Sequence, residues 1–69
     1  MNAYLIDTNA DTDRLPLDGD HETAAAWFEA NLPGDEVADF REALIEAATR
    51  LTGEDRELLA SNGYKITED

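Results

Sequence analysis

The sequence predicts a small single domain of the α+β class with the element order β-α-α-α-β, in which two short terminal strands pack on a helical bundle. Apolar residues recur at three- and four-residue spacing through the middle of the chain, as on one face of a helix. Residues that favour strands cluster near both ends, and Gly, Pro and Asn separate the segments. A chain of 69 residues has room for one domain with a small core.

The first element is a strand over residues 3–7, because its Tyr-Leu-Ile run favours extended backbone. Residues 8–20 are rich in Asp and Thr and contain proline and glycine, which predicts a loop. We expect Leu15 and Leu17 to hold this loop against the core. If part of the loop is extended, the first strand belongs to a larger sheet.

Helix one is expected to begin after Asp20, a good N-cap residue, and to end before Pro33. Trp27 and Phe28 are adjacent, so one should point into the core and the other should lie partly to the side. The apolar residues that share one face of this helix are Ala24, Trp27, Phe28 and Leu32.

Helix two is the clearest element of the sequence. Asp35 is expected to cap its start, and Gly53 is expected to end it. Its predicted apolar stripe consists of Val37, Phe40, Leu44, Ala47, Ala48 and Leu51.

Helix three is expected over residues 53–62, where Thr52 and Asp55 have the spacing of a capping box. Leu58 and Leu59 are expected to face inward. An Asn-Gly pair then stops the helix, and a Tyr-Lys-Ile-Thr run predicts the closing strand. The two strands are expected to pair with each other, since isolated short strands are only marginally stable, but their relative direction stays open.

The charge of the chain restricts its partners. Asp and Glu number 17 against 5 Lys and Arg, which gives a net charge of −12. Such a charge disfavours direct binding to nucleic acid or anionic membranes and favours basic surfaces. The hydrophobic fraction of 42% predicts a folded chain despite this charge.

The acidic residues fall into groups. In helix two the acids are spaced by four, three and four residues and so share the face opposite the apolar stripe. They span roughly 16 Å of helix, with steps of ~5–6 Å that resemble the spacing of phosphates along a nucleic-acid strand. This row consists of Asp35, Asp39, Glu42 and Glu46. A second group comprises Asp7, Asp11, Asp13, Asp18 and Asp20 of the first strand and loop with Glu22 and Glu29 of helix one, and a third comprises Glu54, Asp55 and Glu57.

Enzymatic chemistry has little support in the sequence. There is no cysteine, which excludes thiolate nucleophiles and thiolate metal sites. His21 and Ser61 are the single residues of their types, and no nucleophile-elbow or phosphate-binding glycine motif occurs. We therefore expect no catalytic residue, cofactor or metal. The chain has neither an apolar run of membrane length nor a signal-like segment, so we expect a cytoplasmic location.

Calcium binding is an alternative interpretation of the first loop. Residues 7–18 place acidic or amide side chains at positions one, three, five and twelve of an EF-hand-like loop. However, Thr12 replaces the glycine required at position six, and Pro16 stands where a helix should begin. An Asp-rich turn explains the pattern better.

Two stretches, residues 3–8 and 54–66, together with the small size and acidity of the chain, resemble phage-encoded inhibitors of bacterial defence. The resemblance is to the small anti-CRISPR proteins that act on type I surveillance complexes. It implies occupation of a basic groove that would otherwise take DNA, within the cytoplasm of an infected host. These inhibitors share no motif, so no residue role is carried over.

The sequence therefore predicts a DNA-mimic inhibitor whose carboxylates replace phosphates on a basic nucleic-acid-binding protein. One alternative is an antitoxin-like adaptor that neutralises a basic protein without imitating DNA. Another is a housekeeping domain of a salt-loving organism, whose other proteins would then be equally acidic.

Overall fold

The computed structural model describes residues 3–9 and 14–68, which form three helices and a three-stranded antiparallel sheet with strands at both ends of the chain. The predicted α+β class is thus confirmed. In chain order the elements are β1 (Ala3–Asp7), β2 (Leu15–Pro16), α1 (His21–Asn31), a 3₁₀ helix (Asp35–Val37), α2 (Ala38–Arg50), α3 (Gly53–Ser61) and β3 (Tyr64–Glu68).

The sheet has the strand order β2-β1-β3, so the first strand is central and the last is an edge strand. Both pairings are antiparallel, which settles the strand direction that the sequence left open. Leu5 of β1 lies opposite Leu15 of β2 on one side and Ile66 of β3 on the other. Alternation along the strands therefore directs these three side chains to the same face of the sheet.

The strand β2 lies inside the segment predicted as a loop. Two residues are too few to show the alternation that identifies a strand in sequence. Pro16 is tolerated because it lies opposite Tyr4, between the positions where β2 exchanges hydrogen bonds with β1. The backbone N–H of Leu17 donates to the carbonyl of Ala3 at 3.0 Å and closes this short ladder.

The hydrophobic core lies between the sheet and the helices. The rings of Trp27, Phe28 and Tyr64 meet edge to face, with centroids 4.9 to 6.1 Å apart. Phe28 is fully buried and Trp27 only partly, as predicted for this pair. Burial raises the pKa of Tyr64, and the nearby Asp7 carboxylate raises it further. The buried hydrophobic residues are Leu5, Leu15, Ala24, Phe28, Leu44, Ile45, Ala47, Ala48, Leu59 and Tyr64.

The predicted apolar stripe of α2 includes two residues outside the core, Val37 and Phe40, and omits one core residue. Val37 lies in the 3₁₀ helix that precedes α2. Phe40 is 43% exposed, whereas Ile45, which the stripe omitted, is buried. Ala47 lies two turns beyond Phe40 on the same side of α2 and is fully buried. The exposure of Phe40 therefore comes from its place in the first turn of α2, which extends past the core.

Leu58 was expected to face inward, but its side chain is 37% exposed. The inward side of α3 is defined by Asp55 and Leu59, which are four residues apart and both buried. Leu58 is rotated by about 100° from Leu59 around the helix, so its side chain does not point toward the core.

The ends of α2 also differ from the prediction. Asp35 begins a 3₁₀ helix, and no side chain among the described residues caps the start of α2. At the other end the helix stops at Arg50, and Leu51 adopts the left-handed conformation with φ 54°. Gly53 instead begins α3. Because Thr52 must be extended to cap α3, the chain has to reverse at Leu51.

Candidate partner-binding surface

The acidic row of the sequence analysis lies on the outer side of α2. Its members Asp39, Glu42 and Glu46 are all exposed, while the opposite side of the helix carries the buried Leu44 and Ala48. Asp35 is also exposed but belongs to the 3₁₀ helix that precedes α2. Asp35 and Asp39 are therefore not a like-charge i,i+4 pair within one α-helix, and the repulsion expected for such a pair does not apply. The α2 portion of the row keeps the predicted spacing of three and four residues.

Two members of the row have nearby cationic or titratable side chains. Glu46 Oε2 lies 3.9 Å from Arg50 Nη1, which is four residues further along α2. Glu42 Oε1 lies 3.7 Å from His21 Nε2, a contact between α2 and the start of α1 that sequence spacing does not reveal. The side chains of Glu42 and Glu46 remain 59% and 53% exposed, so both carboxylates are accessible.

The contact of His21 with Glu42 brings the first turn of α1 beside the middle of the row. Asp20 and Glu22 are the chain neighbours of His21, and both are exposed. The turn that contacts the row through His21 therefore carries two further exposed acids. The row and the turn together, Asp35, Asp39, Glu42, Glu46, Asp20 and Glu22, are called the acidic surface below.

The carboxylate of Asp20 has a structural role as well. It accepts a hydrogen bond from the Glu22 N–H at 3.0 Å and another from the Thr23 hydroxyl at 2.9 Å, so it caps α1 as predicted. Asp18 accepts a hydrogen bond from the N–H of Asp20 and shapes the preceding turn. Both residues are nevertheless exposed at the surface.

The remaining predicted partner-binding residues are Glu29, Asp11 and Asp13. Glu29 is exposed on α1, two helical turns after Glu22. Asp11 and Asp13 lie outside the described residues.

We expected Asp55 to lie in an exposed acidic patch with Glu54 and Glu57, but it is buried. Its carboxylate accepts hydrogen bonds from Arg50 at 3.2 Å and from the Thr52 hydroxyl at 2.8 Å. It also accepts one from the Thr52 N–H at 3.2 Å, while the Asp55 N–H donates to the Thr52 hydroxyl at 3.1 Å. This is the predicted capping box. Hydrogen bonds from Thr52, and to a smaller extent from Arg50, hold the pKa of Asp55 below its usual value. The contact between Arg50 and Asp55 raises the pKa of Arg50.

We expect Thr52→Ala to lower the melting temperature by about 4–8 °C, because losing an N-cap costs ~1 kcal/mol in a domain of this size. Asp55→Asn should lower it at least as much at neutral pH. The stability that comes from a lowered pKa is present above the unfolded value of ~3.9 and is lost as the pH falls through the lower folded value. The difference between wild type and Asp55→Asn should therefore narrow below about pH 4, and a constant difference in thermal melts would contradict this role.

The arginines on the helices serve the fold more than they neutralise the acidic surface. Arg41 donates to the carbonyls of Leu32 and Gly34 at 2.6 and 3.1 Å, which holds the turn between α1 and α2. Arg56 donates to the carbonyl of Leu51 after the end of α2. Arg50 divides its contacts between Asp55 and Glu46, and its shorter contact is with Asp55.

Because so many carboxylates face solvent, we expect moderate sodium chloride to raise the melting temperature by a few degrees. At ~0.1 M, salt largely screens the repulsion between exposed charges that are more than about 10 Å apart. Differential scanning calorimetry across a salt series measures this directly. An unchanged melting temperature would mean that the surface charges are already neutralised.

The structure also bears on the other chemistries considered. Within residues 3–9 and 14–68, no group of three or more His, Asp or Glu side chains is placed to hold a metal ion. In the segment that resembles a calcium-binding loop, the Asp7 carboxylate accepts a hydrogen bond from the N–H of Asn9 at 2.9 Å. This contact forms an Asx turn. No helix in the described part of the chain is long and apolar enough to cross a membrane.

No family model, curated protein or solved structure matches the chain.

Proposed function

We propose that this protein is an acidic DNA-mimic inhibitor that occupies the basic nucleic-acid-binding groove of a bacterial defence complex, in the manner of small anti-CRISPR proteins. The observation that carries the proposal is the exposed row on α2, directly opposite the buried side of the same helix. A type I surveillance complex is the expected kind of partner, and the expected setting is the cytoplasm of an infected bacterium. The proposed action needs no cofactor.

The geometry of α2 supports this proposal. From Asp39 to Glu46 the helix rises roughly 10 Å and presents three carboxylates along one side. A DNA strand offers phosphates along a comparable length, and Lys or Arg side chains that hold phosphates bind carboxylates by the same charge-assisted hydrogen bonds. The helix also fixes the positions of the Cα atoms that carry these carboxylates before binding.

Accessibility and net charge support it further. At −12 the protein attracts basic surfaces over distance and repels nucleic acid. The guanidinium groups of Arg41 and Arg56 donate hydrogen bonds to backbone carbonyls, so these two arginines are engaged with the backbone. Association with a basic groove should be fast and should weaken steeply as salt is added.

The test is affinity capture from a bacterial lysate at low salt, with the protein immobilised through its N-terminus. A nucleic-acid-binding protein should be retained and should elute when duplex DNA is added. A matched column carrying Glu42→Lys/Glu46→Lys should retain much less of it. Retention that saturating duplex does not disturb would contradict mimicry and favour the adaptor alternative.

A further inference from the structure

The Asn62-Gly63 pair joins the end of α3 to the start of β3, and the fold uses both residues. The side-chain amide of Asn62 donates a hydrogen bond to the carbonyl of Leu58 at 2.7 Å and so satisfies one of the free carbonyls at the end of α3. Gly63 has a φ of 89°, a backbone conformation that residues with a side chain rarely adopt. The turn therefore needs a glycine directly after the asparagine.

The same pair of residues is chemically reactive. The backbone nitrogen that follows an asparagine can attack the side-chain carbonyl carbon, and glycine leaves that nitrogen unhindered because it has no Cβ. A bond then forms between the Gly63 nitrogen and Asn62 Cγ, and the Cγ–Nδ2 bond breaks. The proton of the Gly63 N–H leaves with the amide nitrogen as ammonia. Water opens the resulting cyclic imide to aspartate or isoaspartate.

The folded turn holds the reacting groups apart. The Gly63 N–H donates to the carbonyl of Ala60 at 3.2 Å, and Asn62 Nδ2 is bonded to the carbonyl of Leu58. Along the Cα–C bond of Asn62, where ψ is 13°, the Gly63 nitrogen nearly eclipses the backbone nitrogen, whereas closing the ring requires it to eclipse Cβ. The Gly63 carbonyl accepts hydrogen bonds from the N–H and the hydroxyl of Thr8, at 2.9 and 2.6 Å, which tie the turn to the segment after β1.

We propose that Asn62 is a deamidation site whose reaction requires the turn between α3 and β3 to open. The product gains a negative charge and loses the amide that donates to Leu58. A carboxylate at the C-terminal end of a helix is repelled by the carbonyl groups there. Deamidation therefore destabilises the connection from α3 to β3, and this effect does not depend on the acidic surface.

The test is the rate of deamidation at each asparagine of the full chain at mildly alkaline pH, measured by mass spectrometry after proteolysis. Asn31 is an internal reference, because its side chain makes the same bond at the end of α1, to the carbonyl of Trp27 at 2.7 Å, but Leu32 follows it. In urea that unfolds the chain, Asn62 should react much faster than Asn31. In buffer, Asn62 should react at least roughly tenfold more slowly than in urea, since the turn is open in a minority of molecules. Equal rates at Asn62 in buffer and in urea, or no faster reaction than Asn31 in urea, would overturn the proposal.

Two threonine variants test whether the opening is local. Thr8→Ala removes the hydroxyl that bonds the Gly63 carbonyl, so it should raise the rate at Asn62 several-fold in buffer and leave the rate in urea unchanged. Thr23→Ala is the matched control, because it removes a hydroxyl that bonds Asp20 at the start of α1, and it should raise the rate less. Equal acceleration by both variants would mean that the site is exposed by global unfolding and that the turn does not open by itself.

The effect of the modification is tested with Asn62→Asp, which has the side chain of one hydrolysis product. It should unfold at a lower urea concentration than wild type, because it lacks the donor to Leu58 and places a carboxylate at the end of α3. An unchanged unfolding midpoint would contradict the proposed destabilisation.

Discussion

Replacing Phe28 with alanine is expected to leave the protein largely unfolded at room temperature. The ring is fully buried and packs edge to face on Trp27 and Tyr64. Removing such a ring costs about 3–5 kcal/mol, whereas a domain of 69 residues has a total stability of about 3–10 kcal/mol. Self-repulsion at −12 places this protein toward the low end. Urea titration followed by circular dichroism measures the loss.

The matched control is Phe40→Ala, which removes the same ring from an exposed position. It should cost much less stability than Phe28→Ala, because much of the Phe40 ring already faces water. If the two variants unfold at similar urea concentrations, or if Phe28→Ala melts close to wild type, the assignment of the core is wrong.

Reversing two charges, Glu42→Lys with Glu46→Lys, should weaken binding to the basic partner by at least roughly 100-fold. Close charge pairs across an interface are coupled by ~1.5–7 kcal/mol, so two repulsive replacements exceed that factor. The fold should survive, because both side chains are more than half exposed. The new ammonium group at position 46 would face Arg50 one turn away, at a cost of only ~0.2–0.5 kcal/mol. Binding is measured by calorimetry and folding by thermal melts.

The control for net charge is Glu54→Lys with Glu57→Lys on α3. Both residues are exposed, and the variant changes the total charge by the same amount. Because these acids lie outside the proposed surface, this variant should lose affinity only through long-range attraction, at most about tenfold. Equal losses in the two double variants would mean that total charge matters and the α2 row does not.

Local patterns in the sequence were sufficient to predict the helices and both terminal strands. Asp20 caps α1 and Thr52 caps α3 as expected, because capping depends on residues three or fewer positions apart. The strand β2 was left open as an extended part of the loop that would enlarge the sheet, and the structure confirms this alternative. Pro16 favours extended backbone at Leu15, but the pairing of these two residues with β1 is a tertiary effect that local patterns do not show.

The candidate surface was predictable in part. The spacing of Asp39, Glu42 and Glu46 was enough to place them on one side of a helix. Their proximity to the start of α1, through His21, depends on how the two helices pack, which spacing does not show. The burial of Asp55 and the exposure of Phe40 were missed for the same reason. Asp55 is charged but buried because it belongs to the capping box of α3. Phe40 is apolar but exposed because it lies in the first turn of α2.

The most direct test is a structure of the protein bound to the partner that duplex DNA displaces. We expect the carboxylates of Asp39, Glu42 and Glu46 to lie within about 4 Å of Lys or Arg side chains that hold phosphates in the DNA-bound partner. A complex in which this side of α2 faces solvent, with the groove left open to duplex, would overturn the proposed mimicry.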